Sequence, residues 1–417
     1  MKTLVAYARE RADAEVRKAE ILLTQKRPQE ARNLLVAAVT ATPANANLRF
    51  ALGSVLLDLG QPGEAVPELF RAGELGYGAP ILALKLGQAL AGAGRPEEAV
   101  EQLEKFRAAA AKDDPGLPAA EKLLSSLRES ALAGRMKDLE EQIKGAFRRK
   151  DHAKTIELAE GLLRLNPANE EALYHLARAR LDSGLVLEGW FALLDYLERA
   201  PSGKRVSDVR RLQKSVEKDH SPNTRSLELN QKGQIDFEGR QYATALTMFT
   251  SAIEAARLNG DAYYNRGRTH LVLGELARDP AEFGAARDDF AAAARLVSEK
   301  GPAFEGLALA QYYLEEYDAA LDAARKAIAA APDRWLSFSV VGLVCYVRSD
   351  YEGAIAWFEK GMAVAPEEPQ LDINKAMALE RLSRKDEATA VLRAALRKKA
   401  SEAQINSINE ILKRLAR

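Results

Sequence analysis

The sequence predicts an all-α chain in which antiparallel helix pairs repeat along a solenoid, and three observations predict it. The first is the unit from Trp335 to Glu368. Phe338, Val341, Gly342 and Cys345 recur there at i, i+3, i+4 and i+7, which places them on one stripe of a helix. Ser349, Asp350 and Tyr351 make a tight turn, a second stripe follows at Ala354, Phe358 and Gly361, and Pro366 ends the segment because it cannot continue a helix. The second is the period: 34 residues upstream stand Phe304, Leu307, Ala308, Gln311, Tyr317, Ala320, Ala324, Ala327 and Pro332. The third is composition. With 47% hydrophobic and 29% charged residues, each hairpin has an apolar seam and a solvated back. A lone hairpin of this size cannot cover its own seam, so neighbouring copies must.

The order of residues within the unit is a bulky residue, Leu-Gly or its like, an aromatic, a small Ala, an aromatic, Ala and Pro. It resembles the tetratricopeptide repeat (TPR) family. Each copy is weak alone; the period carries the likeness. The resemblance implies a TPR-type α-solenoid, with antiparallel helix-pair repeats forming a right-handed superhelix closed by single capping helices.

In chain order, repeats start at Ala12 (Ala19, Leu22, Ala31, Leu35, Ala38, Pro43), Ala46 (Leu52, Gly53, Leu56, Ala65, Leu69) and Pro80 (Leu86, Gly87, Leu90, Ala99, Leu103). Gly60, Gly94, Pro28, Pro62 and Pro96 mark the turns between paired helices. The register breaks after Asp113, and a lone helix is expected near 118–133 with Ala120, Leu123, Leu124 and Leu127 on its stripe. Two repeats follow from Met136 and Glu170, then a second lone helix near 204–218 with Val206, Val209, Leu212 and Val216 on its stripe. His220-Ser221-Pro222-Asn223 reads as a hinge. Beyond it come repeats from Ser226, Gly260, Gly301, Trp335 and Pro369 and a final helix over 402–417. The copy at Gly260 carries a seven-residue insertion around Glu275 to Phe283, read as a longer loop between its two helices. The lone helices are expected to cap the stacks, with decayed repeats inside one continuous superhelix as the alternative. The expected organisation is an N-terminal lobe over 1–219, a linker over 220–225 and a C-terminal lobe over 226–417.

Sixty basic residues balance sixty acidic ones, so bulk charge gives no pull toward nucleic acid. Arg205, Arg210, Arg211 and Lys214 are interspersed with Asp208, Glu217 and Asp219 and read as a solvated face. Met1 to Arg11 lacks the length of a signal-peptide core, no window reaches a membrane span, and Cys345 has no cysteine partner. A cytoplasmic location is the expectation. The four histidines, His152, His175, His220 and His270, sit in no metal or triad motif, and Cys345 lies on a seam. The expected role is non-enzymatic, without cofactor or metal.

Positions two, five, nine and twelve of each first helix lie opposite the seam, at 100° per residue. In the TPR family that face lines the concave groove that holds partner segments. In the C-terminal lobe the candidate groove residues are Tyr264, Asn265, Arg268, Leu309, Tyr312, Tyr313, Leu343, Tyr346 and Met377, within a face that also carries Phe237, Asp261, Leu271 and Ile373. Tyrosine and arginine combine large contact area with polar handles and make good anchors. Position twelve also packs toward the next repeat, so a core role is the alternative for Phe237, Tyr312 and Tyr346. Co-chaperone members of the family clamp a C-terminal carboxylate with Lys, Asn and Arg. The matching positions here are Asn230, Gln234, Asn265, Pro302 and Gly306, and only Asn265 agrees, so clamp activity is not expected. Repeats starting at Ala12 leave no room for the helix-turn-helix of a peptide-sensing transcription regulator. The expected function is a scaffold or adaptor that binds an extended or helical segment of another protein, while the N-terminal lobe holds a second partner or self-associates. The alternative is a regulatory or chaperone-like subunit that docks an enzyme or assembly complex through its basic capping helices.

Overall fold

A computed structural model describes residues 2–416, and among them it contains 22 helices and no strand. By packing, the chain divides into two compact units, Met1–Gln142 and Ile143–Arg417.

The first unit holds α1 (Lys2–Thr24), α2 (Pro28–Ala41), α3 (Ala46–Asp58), α4 (Pro62–Glu74), α5 (Ile81–Gly92) and α6 (Pro96–Ala109). Pro28, Pro62 and Pro96 each stand in the first turn of the second helix of a pair, where the missing N–H costs nothing. The seam residues Leu35, Leu52, Leu56, Leu69, Leu86 and Leu90 gather in one core. A second cluster joins Leu84, Leu103 and Phe106 to Ala120 and Leu124.

Those last two residues belong to α7 (Leu117–Arg148), the 32-residue helix within which the two units divide. The sequence suggests a lone helix followed by a separate first helix of the next repeat. The two are one helix instead, because only Gly134 and Arg135 stand between them, and a single glycine with no cap or proline weakens a helix without ending it.

The second unit continues with α8 (His152–Leu165), α9 (Glu170–Asp182), α10 (Val186–Arg199) and α11 (Val206–His220). Its long run is α12 (Thr224–Glu238), α13 (Tyr242–Ala255), α14 (Gly260–Ala277), α15 (Pro280–Leu296), α16 (Lys300–Tyr313) and α17 (Tyr317–Ala330), then α18 (Trp335–Val347), α19 (Tyr351–Val364), α20 (Pro369–Arg381), α21 (Lys385–Ala395) and α22 (Glu402–Leu415). Asn169, Asn223 and Asn259 accept backbone N–H groups at the starts of α9, α12 and α14. The seam glycine Gly342 sits against the ring of the fully buried Phe358, which fills the space a side chain there would need. The last helix, α22, lays Ile408, Ile411 and Leu415 against the α20–α21 pair.

Two further expectations differ from the structure. The insertion near Glu275 is not a loop. α14 and α15 run for 18 and 17 residues, against 14 in α16 and α17, and only Arg278 and Asp279 lie between them. The stretch at 220–225, expected as a linker, lies inside the second unit and is tied down. The Leu258 N–H donates to the His220 carbonyl at 2.9 Å, and Asn223 Nδ2 donates to the Ala255 carbonyl at 2.9 Å. Nearby, Arg295 bonds Asp195 at 2.6 Å and lies 4.1 Å over the Phe191 ring, which joins α10 to α15. These hydrogen bonds and the Arg295 contacts outweigh the turn signal of Ser-Pro-Asn. No helix among the described residues is long and apolar enough to cross a membrane.

Candidate functional site

The lengthened α14–α15 hairpin makes one wall of a groove in the second unit. Gly274 leaves room for Phe283, whose ring would stand 2.7 Å from a Cβ at that position. Arg278 turns the chain in the left-handed region with φ 55°, and Pro280 starts α15. Phe283 then projects to stack on Tyr313 of α16, with ring centres 4.5 Å apart and planes 18° from parallel.

The groove has a volume of about 800 Å³. Its hairpin wall is Gly274, Glu275, Arg278, Pro280 and Phe283; α16 supplies Leu309, Tyr312 and Tyr313, α18 supplies Trp335, Leu336, Ser339 and Leu343, and α20 supplies Gln370 and Asn374. One end is aromatic and the other is amide-rich. Gln370 Nε2 donates to Asn374 Oδ1, and Asn374 Nδ2 donates to Ser339 Oγ, each at 3.0 Å. The Tyr313 hydroxyl donates to Glu275 Oε1 at 2.9 Å. Burial, and then Glu275, push the Tyr313 phenol well above its ordinary pKa, and burial raises that of Tyr312 as well. Both therefore present neutral rings to the groove, Tyr313 with 39% of its surface exposed.

The tetratricopeptide repeat family model matches residues 16–79, 50–116, 230–294 and 305–369, more than half of the chain. The chain is a tetratricopeptide repeat protein. Among curated proteins no relative matches this TPR chain. Solved structures similar to it include a tetratricopeptide repeat protein from Parabacteroides merdae ATCC 43184, at 16% identity over 68% of this chain and 99% of that one, with a TM-score of 0.38. The APC/C hetero-tetramer Cut9-Hcn1 is similar at 15% identity over 98% and 96%, with a TM-score of 0.36. YrrB, described as a TPR protein with an unusual peptide-binding site, is similar at 16% identity over 47% and 97%, with a TM-score of 0.34. The TPR solenoid is in general a scaffold for protein–protein interaction.

Four of the residues expected to form the TPR groove, Leu309, Tyr312, Tyr313 and Leu343, line this one. The other five do not. Tyr264 and Arg268 stand on the earlier turns of α14, where the Arg268 guanidinium lies 4.7 Å over Phe237 and 5.8 Å over Tyr264. Asn265 is only 4% exposed, and its amide donates to Asn230 at 3.1 Å, so it ties α12 to α14. Tyr346, one turn beyond Leu343 on α18, accepts from Arg381 Nε at 3.0 Å and meets the Tyr351 ring edge-on. Met377 packs, half-buried, against the α19–α22 core. Sequence reasoning missed Phe283 and Pro280, because reading the insertion as a loop removes their helical positions, and with them the corner at Arg278.

A second groove, of about 520 Å³, lies in the first unit between α1 and α3. Val16, Glu20 and Leu23 face Asn47, Phe50 and Ser54 across it, and Tyr77 stacks on Phe50 at 4.1 Å. The signal was in the sequence: Asp13, Val16, Glu20 and Leu23, like Asn47, Phe50 and Ser54, occupy the repeat positions opposite the seam.

Proposed function

We propose that this TPR protein is a non-enzymatic adaptor whose second-unit groove takes an extended or helical segment of a partner protein. The observation that carries the reading is the convergence of Phe283, Tyr312, Tyr313, Trp335 and Leu343 on one open channel. Tyr313, stacked on the buried Phe283 ring and edge-on to Tyr312, is held in place and loses little entropy when a partner covers it. This preorganisation favours apolar side chains of the incoming segment. The amide end, with Ser339, Gln370 and Asn374, offers hydrogen bonds to its backbone or polar groups. The first-unit groove, smaller and bordered by Asp13, Arg17 and Glu20, is the surface for a second partner.

The test is a selection of displayed peptides on the full-length chain, followed by affinity measurement for the enriched segments. Replacing Tyr312, Tyr313 and Leu343 together with Ala is expected to weaken those segments at least tenfold, about 1.4 kcal/mol, with the helical circular dichroism unchanged. Equal affinity for the triple variant would reject the groove.

A further inference from the structure

We infer that His175 makes the packing of α9 on the 143–148 end of α7 a latch that holds at neutral pH and loosens on mild acidification. His175 is 6% exposed, and neither ring nitrogen has a hydrogen-bond partner. A buried polar group left so is costly and uncommon. Its imidazole is held by rings instead, 4.8 Å from Phe147 at 59° and 5.4 Å from Tyr174 edge-on.

Charged groups close in from each neighbouring element. α7 brings Lys144, which acts on the imidazole electrostatically. Arg178 of α9 lies 6.0 Å over the Phe147 ring, and Arg205, just before α11, lies 4.3 Å over the Tyr174 ring. Glu171 opposes them, with Oε2 at 3.4 Å from Nε2 but out of hydrogen-bond alignment and shared with Arg205 at 3.4 Å. On α8, Glu160 is engaged by Arg180 at 2.8 Å. Burial is the largest influence, and it pushes the imidazole below its ordinary pKa; Glu171 opposes it, while Arg205 and Lys144 add to it.

The direction follows from linkage. An opened state, with the ring in water, takes its proton at the ordinary imidazole value of about 6.5, before the closed state does. The closed state is therefore fully favoured above that pH and loses ground as pH falls through it, by up to about tenfold per pH unit. Opening hydrates the ring and frees Arg178 and Arg205 from their aromatic ledges.

Hydrogen exchange of the full chain at pH 7.5 and 5.5, corrected for intrinsic rates, tests the latch. In the wild type, opening of segments 143–148 and 170–182 should rise up to about tenfold, while α18 stays level. His175→Phe keeps a ring in the stack and cannot titrate, so its two segments should show no such rise; His175→Gln gives the same comparison if the phenylalanine variant fails to fold. An imidazole carbon resonance for His175 should titrate below the free-imidazole range. An acid response that persists in the non-titrating variant, or a His175 resonance that titrates at or above that range, would overturn the latch.

Discussion

At Gly94 the backbone turns with φ 75°, and a Cβ there would meet nothing within 4 Å. Any cost of a side chain at this site is therefore the left-handed conformation itself. The same corner recurs down the chain. Gly60 and Gly94, Lys150 and Gly184, and Glu315, Ser349 and Ser383 are spaced by 34 residues, each with positive φ. The repeat is written in the backbone even where glycine is absent. Gly94→Ala should cost about 1 kcal/mol, and Glu315→Gly should gain up to that amount, less the entropy that glycine adds to the unfolded chain. Urea denaturation of the two variants measures both; a gain for alanine at 94 would contradict the corner. Gly60 and Gly94 were legible as turns from their glycines and Ser349 from the break between two stripes, whereas Lys150, Glu315 and Ser383 carry no comparable left-handed signature.

Among the elements, the α14–α15 hairpin and α22 depart most from the repeat. Spacing alone exposed the seven extra residues but not their conformation, because a helix extension and a loop disturb the register equally. α22 is held by Ile408, Ile411 and Leu415 and by Arg414, whose Nε donates to Glu380 at 2.6 Å. It covers the open seam of α20 and α21. Removing residues 402–417 should raise hydrogen exchange in α20 and α21 at least tenfold, about 1.4 kcal/mol, and leave α12 to α15 unchanged, because each repeat contacts only its neighbours. Exchange that rises throughout the unit would show longer-range cooperativity than a solenoid has.

For the whole molecule, packing into two units predicts that unfolding is not a single transition. Calorimetry should give an unfolding enthalpy larger than the van't Hoff value, the mark of more than one cooperative block. Equality of the two would mean that the units unfold as one.

The sequence by itself determined the helix pairs, their 34-residue register, the seam residues and the helix face opposite the seam. Those follow from periodicity, and periodicity is local. Tertiary structure decided the rest. It fused the lone helix with the next one in α7, drew the 220–225 stretch into the second unit, and chose which side chains of the groove face share a channel. Leu309, Tyr312, Tyr313 and Leu343 came together there, while Asn265 was spent on Asn230. The physical reason is that helical position fixes a direction around one axis, whereas a shared channel depends on how far neighbouring helices extend and on which polar groups find partners between them. No single-helix pattern encodes either.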